Sequence, residues 1–585
     1  MSNNGTTQGI IEQHITSGNH AASDYFAALK TCVSARNNSA NDTEQDTWQR
    51  AIDTIYTYIE DEILTNTAQP VQTVKFGTSG WRGILGKDIF VQSVAYVTCA
   101  ILQLYKLGEG DQDIHNALGK LTYRDMQKQG CVVGFDNRFG GELLARAVVN
   151  ILCANEIKVY YAGESTTGAL SASVLRNKAA FSINLTPSHN PMEYGGFKYN
   201  AADAGPAAPI LTDTITATAR DFLTGTPCPF MVSQEQLKRP LDSLTGIIEE
   251  DALASWQDLV TANSSFHGIN YAELKTAIAS RDDLIICVDA VHGASRNYLH
   301  RLLGDPEASR LTVLRDNADP TFGGIAPEPS SANMQPTIAF LNKQSSALKI
   351  GAIIDPDGDR IRFTDGKVEI SMNQFGAMAY HFLHEVKQKK GMVAKTVASS
   401  NLANAVAEKL GEKVFEPRVG FKEFKPVLNK ALVCFEESDG ISITGHTPEK
   451  DAFIGLILAI DMVLTQNISL GEYLHEIEQT FGHYYPGRGG ITVSQQGKEL
   501  LQTLEQLEVY ARGTNVQVGE NNKKIREVID IDGRKMIFDD GSWIMIRPSG
   551  TEPKVRFYVE ARDPEETELL VKSAHSMLAQ IGLLP

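Results

Sequence analysis

From residue 71 onward the chain alternates short β-branched apolar runs, at 130–135, 157–161, 284–289 and 348–355, with helix-length amphipathic segments such as 141–155 and 374–390. That alternation predicts α/β layers with largely parallel sheets, whose ligand-carrying loops follow the carboxyl ends of strands. Ahead of it lie two helical patterns at 21–35 and 44–65, separated by the polar run 34–43 and ended by Gln69-Pro70. They predict an N-terminal helical extension over residues 1–70. The C-terminal part reads differently: strand-like runs at 489–493, 526–532, 535–538, 542–547 and 555–561 precede a helical 564–581, which predicts a closing α+β domain. No repeat is visible at residue level. The expected division is 1–70, 71–244, 245–372, 373–480 and 481–585.

Composition narrows the function. A length of 585 residues corresponds to about four domains at ordinary size. Lys and Arg total 54 against 71 Asp and Glu, a net charge of −17, so the average surface repels nucleic-acid phosphates and anionic lipid. Any anionic ligand must be gripped by local positive charge. The seven cysteines form no Cys-x-x-Cys pair and read as buried thiols in a reducing compartment. Residues 1–20 lack the basic and apolar regions of a signal peptide, and the apolar run 452–460 is stopped by Asp461, short of a bilayer's width. A cytoplasmic location is the expectation.

Three constellations carry chemistry. Asp355-Pro-Asp357-Gly-Asp359-Arg360 follows an apolar strand, so three carboxylates emerge together into a loop, a density of hard oxygen ligands that suits Mg²⁺. A calcium EF-hand loop would need Gly and Glu where Arg360 and Gly366 stand; an ordinary acidic turn is the remaining rival. Thr186-Pro-Ser188-His189-Asn-Pro191 places a serine between two prolines in a stiff loop, a candidate nucleophile without the surroundings of a hydrolase elbow. Lys198, behind two glycines, is placed to fold back as an acid/base or as a phosphate clamp. Arg547-Pro-Ser549-Gly550-Thr551 offers side-chain and backbone donors in one tight loop, a phosphate cradle without a Walker lysine. Arg82 in a Gly-rich loop and Arg138 in Gly134-Phe-Asp136-Asn-Arg138 add further cations.

Taken in order from about Lys75 to Ala561, these motifs resemble those of the α-D-phosphohexomutases: Gly-Thr-Ser-Gly-Trp-Arg-Gly, Thr-Pro-Ser-His-Asn-Pro, Asp-Pro-Asp-Gly-Asp-Arg, Glu436-Glu437-Ser438 and Arg-Pro-Ser-Gly-Thr-Glu-Pro. The resemblance implies three related α/β domains and a smaller C-terminal one around a central cleft. It implies Ser188 as phosphoryl carrier and metal ligand, and Asp355, Asp357 and Asp359 as ligands of one Mg²⁺. Arg82, Lys198 and His189 would serve the transfer, and Glu436 and Ser438 would read sugar hydroxyls. Lys422, Arg547, Ser549, Gly550 and Thr551 would grip the non-reacting phosphate, with Arg360 also at the substrate. Glu-Glu-Ser and the downstream His446-Thr-Pro-Glu-Lys450 look most like the phosphoglucomutase branch, while Asp439 stands where a small residue is common. The implied reaction interconverts glucose 1-phosphate and glucose 6-phosphate through a glucose 1,6-bisphosphate intermediate that also acts as activator. The alternatives are a phosphomannomutase or other hexose or pentose phosphomutase, and a non-catalytic sugar-phosphate-binding homologue. A small phosphosugar is the expected partner, with no nucleic acid and no membrane, in a monomer or weak homodimer.

Overall fold

The computed structural model describes residues 6–77, 80–307, 310–550 and 553–584. Four sheets organise them. In the first, Phe181–Leu185, Cys131–Phe135, Val159–Glu164 and Ile247–Glu249 run parallel, and Tyr194–Ala201, Gly80–Ile84 and Phe76–Gly77 extend one edge antiparallel. The second joins Leu348–Ile354, Leu284–Asp289 and Leu311–Leu314 in parallel, with Ile361–Thr364 and Glu369–Ile370 returning antiparallel. In the third, Met392–Lys395 lies parallel to Val414–Phe415 and to Ala431–Glu436, and Gly440–Ile443 returns antiparallel. The fourth has six strands, every pairing antiparallel, under the helix Pro564–Gln580.

In the first three sheets the parallel strands run out to one edge, and the antiparallel strands lie at the other. In each of the first three sheets a parallel strand ends, makes a loop and returns antiparallel beside itself: 185 to 194, 354 to 361, and 436 to 440. The serine loop, the aspartate loop and the Glu436 loop occupy these three equivalent bends. This likeness of construction is invisible at residue level because backbone pairing, not residue identity, repeats.

Residues 6–70 are not an appendage. Helices Tyr25–Asn37 and Asp42–Thr65 bury Leu29, Cys32, Ile52, Ile55, Ile59 and Ile63 completely, in one continuous core with the first sheet. Asp24 and Asn41 cap their first turns. A further helix, Thr7–His14, escapes the sequence pattern because it buries only Gly9 and Ile10. Strand Asn515–Val518 and the polar start of Asn521–Ile529 escape it because they are exposed on alternate or most positions. The expected helix 374–390 keeps its α form only over Met372–His381 and then widens into a π-turn, Phe382–Val386.

The second and third sheets share one core, into which Ala169 and Ala172 of helix Thr167–Asn177 also project. Helix Ala452–Gln466 is buried over residues 452–463, and its Asp461 is satisfied by Lys387 Nζ at 2.9 Å. No single helix among the described residues is long and apolar enough to cross a membrane. Because the extension shares the first core, Ile59→Ala should cost about 2–4 kcal/mol and lower the main unfolding midpoint in chemical denaturation. An unchanged main transition would mark the extension as a separate unit.

Candidate active site

Within the aspartate loop, Gly358 takes φ +66°, which lets the chain turn back so that Asp355 Oδ1 accepts the amides of Asp359 and Arg360, both at 3.0 Å. One oxygen from each of Asp355, Asp357 and Asp359 lies within 4.8 Å of the others, and all three side chains are buried. Three carboxylates withdrawn from water are costly unless cations answer them. Lys198 Nζ lies 2.5 Å from Asp357 and 2.8 Å from Asp359, and Lys450 Nζ lies 3.4 Å from Asp359. Burial and the two neighbouring carboxylates push Asp355 well above the usual carboxylate range. Burial pushes Asp359 the same way, but Lys198, Lys450 and Arg360 overcome it and hold that group below the range. Among the described residues, Asp357 Oδ1 and Asp359 Oδ1 are buried with no hydrogen-bond partner, although Arg360 Nε lies 3.7 Å from the latter. Hard, unshared oxygens converging on one point fit a divalent cation such as Mg²⁺.

The serine loop meets this cluster from the first sheet. Ser188 sits at φ +62°, buried, and its Oγ donates to Asp355 Oδ2 at 2.8 Å. His189 Nδ1 is 3.3 Å from the same Oγ, and burial, with the charges of Arg360 and Arg82, holds its ring well below the ordinary histidine pKa. The returning strand passes so close beneath the loop that a Cβ on Gly196 would sit 2.4 Å from the Thr186 carbonyl oxygen, so only glycine fits. Lys198, two residues on, faces Asp357 and Asp359 rather than Ser188. Burial opposes its charge, but Asp357, Asp359 and Glu449 outweigh burial and raise its pKa. Arg82, beside Gly196 in the next strand, is drawn down to about 10 by burial and by Arg360, against the pull of Asp359 and Asp357.

From the third sheet, Glu436 reaches the same centre: burial pushes its carboxyl up to about 7, with Lys450 opposing at 3.9 Å. Glu437 turns away to accept Thr396 Oγ1 at 2.6 Å, and Ser438 is half-buried beyond it. Asp439, at φ +71°, has a structural use: Arg362 donates to both of its oxygens, at 3.2 and 2.7 Å, and Ile361 N donates to its carbonyl, docking the Glu436 loop onto the second sheet. Glu449 and Lys450 were not singled out as site residues by sequence reasoning, although the His446-Thr-Pro-Glu-Lys motif carried them. Asn200 Nδ2 donates to Glu449 at 3.3 Å, and Lys450 bridges Asp359 and Glu436.

The fourth sheet carries Arg547. Arg547 Nε lies 3.0 Å from Asp532 Oδ2, which also accepts Val419 N at 3.0 Å, so the segment leading to Lys422 is tied to the Arg547 strand. Ser549 N donates to the Lys554 carbonyl at 2.8 Å and closes the loop, with Gly550 exposed at its tip. Thr551 lies outside the described residues, as do Thr78 and Ser79 of the Gly-rich opening. Burial and then the charge of Glu437 raise the Tyr558 hydroxyl, while Arg547 opposes them. The arrangement thus brings a buried serine hydroxyl to a buried carboxylate cluster that has the donor set for a divalent cation.

Comparison with known proteins agrees with this geometry. Residues 73–222, 267–368, 371–481 and 508–574 match, in order, domains I, II, III and the C-terminal domain of phosphoglucomutase/phosphomannomutase. The chain is 25% identical over 508 residues to "Phosphoglucomutase 1" of Drosophila melanogaster, covering 78% of this chain and 88% of that one. It is 24% identical to a phosphoglucosamine/phosphogalactosamine mutase of Sulfurisphaera tokodaii, covering 85% and 97%. The crystal structure of the Paramecium phosphoglucomutase parafusin, in an open form, superposes with a TM-score of 0.66 at 21% identity, covering 88% and 96%. With all four domains matched in sequence order, the chain belongs to the phosphoglucomutase/phosphomannomutase family of the α-D-phosphohexomutases, whose reaction is intramolecular phosphoryl transfer on a phosphosugar.

Proposed function

We propose that the protein interconverts glucose 1-phosphate and glucose 6-phosphate through a phosphorylated Ser188 and a glucose 1,6-bisphosphate intermediate. The observation that carries this reading is the Ser188 hydroxyl, held 2.8 Å from a carboxylate of the buried aspartate cluster. In the forward half, the P–O bond to Ser188 Oγ breaks as a bond forms to the free sugar hydroxyl, whose proton leaves. That proton passes to solvent, and His189, its ring nitrogen 3.3 Å from Oγ, orients the serine oxygen. The bisphosphate then turns over, and the phosphate first carried by the substrate passes to Oγ, restoring the phosphoserine. Arg547, Ser549, Gly550, Thr551 and Lys422 hold whichever phosphate is not reacting, Glu436 and Ser438 bond the sugar hydroxyls, and Arg82, Arg360 and Lys198 face the charge that spreads over the transferring oxygens. Asp355, Asp357, Asp359 and Ser188 would hold Mg²⁺, which would add positive charge there. A small phosphosugar in a cytoplasmic setting is the partner this reading needs.

Ser188→Ala should abolish turnover of glucose 1-phosphate with the fold retained, since the hydroxyl contributes little packing and is the only carrier. Activity near that of the parent would contradict the mechanism. Comparing kcat/KM for glucose 1-phosphate, mannose 1-phosphate and glucosamine 1-phosphate tests the sugar. We expect glucose to lead by about ten- to a hundredfold, the cost of one mispaired buried group. A clear preference for mannose would reassign the substrate.

Removing one hard ligand, by Asp357→Ala, or removing the ion with a chelator should each lower kcat by about a thousandfold. Full activity in excess chelator would reduce the three aspartates to an acidic turn.

A further inference from the structure

Two features have no part in the chemistry above: the first 70 residues and Arg138. The structure joins them. Arg138 is buried, and its guanidinium gathers the carbonyls of the serine loop, with Nη2 donating to Ser188 O at 2.7 Å and to Asn190 O, and Nη1 donating to Pro191 O at 2.7 Å. Asp136, fully buried, accepts Arg138 Nε at 3.2 Å and Thr186 Oγ1 at 2.7 Å, which orients the fork and anchors the start of the loop. The guanidinium packs against the Phe322 ring, its central carbon 4.7 Å from the ring centroid. Phe322 comes from the second sheet's side of the molecule, in a tight bend in which residues 322, 323 and 324 all take positive φ.

That bend is gripped by the extension. Arg36 Nη2 reaches Asp319 Oδ2 and Thr321 Oγ1, each at 3.3 Å, and Asn37 Nδ2 donates to Gly323 O at 2.8 Å. Val33 packs so closely that a Cβ on Gly324 would sit 2.9 Å from its Cγ1. Further along the serine loop, Lys30 Nζ meets Glu193 at 2.6 Å, and Tyr56 stacks on Phe139, the residue after Arg138, at 4.2 Å between ring centroids. The extension therefore touches the serine loop, the residue flanking its organiser and the bend that presses on that organiser.

We propose that helices Tyr25–Asn37 and Asp42–Thr65 act as a strap that fixes the serine loop in its reactive conformation through the 317–324 bend, with Phe322 and Arg138 as positioning residues. The inference rests on the reading of Ser188 as the nucleophile. Its physical basis is the φ of +62° at Ser188: a non-glycine residue stays in that region only where its surroundings over-determine it. Three carbonyls on one planar fork do so, provided the fork is held in place, and the Phe322 ring beneath its central carbon holds it. Loss of the strap frees the fork to tilt, and a shift of about 1 Å in a reacting group costs about a hundredfold in rate.

The test uses the full-length protein with Phe322→Leu, which keeps an apolar side chain but removes the flat ring, and Arg36→Met, which keeps the stem but removes the contacts to Asp319 and Thr321. Amide hydrogen exchange is followed in the segment 186–194 alongside turnover of glucose 1-phosphate. In both variants exchange in that segment should quicken about tenfold, while that of 440–443 is unchanged, and kcat should fall about tenfold with KM altered less than about twofold. Arg138→Lys, which keeps the charge and loses the fork, should behave in the same way. Unchanged exchange over 186–194 in the variants that fold, whatever the turnover, overturns the strap. Absence of turnover in the unaltered chain would instead defeat the reading of Ser188 as carrier, and the exchange comparison would still decide the strap.

Discussion

The structure depends on one electrostatic constraint: three aspartates are held out of water within a few ångströms of one another. Two of them share Lys198, and Asp359 also faces Lys450. An isolated cluster of this kind would neutralise itself by taking up protons, and Asp355, farthest from compensation, is already pushed in that direction. The cluster has the donor set to take a divalent cation, which would offset the same charge that strains the site. Despite the net charge of −17, Lys198 and Lys450 are gathered at this cluster.

The compensating groups come from different sheets, and this dictates how the domains are joined. Lys198 belongs to the returning strand of the first sheet and the aspartates to the bend of the second, while Lys450 follows the third. Each junction is then pinned by its own buried polar contacts. Thr167 donates to Asp357 Oδ2 at 2.7 Å, Arg296 pairs with Glu164, and Arg362 clasps Asp439. Arg362 and Asp439 are both buried, so breaking that pair leaves a buried carboxylate without its cation, a larger loss than a surface ion pair would suffer.

Much of this was legible in the chain. The α/β alternation, the strand-rich closing α+β domain and the loops bearing Ser188, Asp355, Asp357, Asp359 and Arg547 are local features, set by periodicity and by residue types within a few positions of each other. Partnership between distant residues was not legible. Nothing in Lys198's neighbourhood tells that it faces aspartates some 160 positions away rather than the serine ten positions before it. Lys450 and Glu449 stood in a quoted motif without an assigned place, because their role exists only once the third sheet docks. Asp439 read as a departure until Arg362 appeared opposite it. The extension read as an addition because its helices are amphipathic like any surface pair; only the packing shows whose core they complete.

The central claim is that Ser188, poised at the aspartate cluster, carries the phosphoryl group. The most direct measurement is the mass of the peptide containing Ser188 after incubation with glucose 1,6-bisphosphate and Mg²⁺, and again after addition of excess glucose 1-phosphate. The account predicts one phosphate on Ser188 in the first sample and a phosphate that exchanges with substrate in the second, at a rate no slower than turnover. Turnover with Ser188 unmodified throughout, or with a phosphate there that never exchanges, would contradict it.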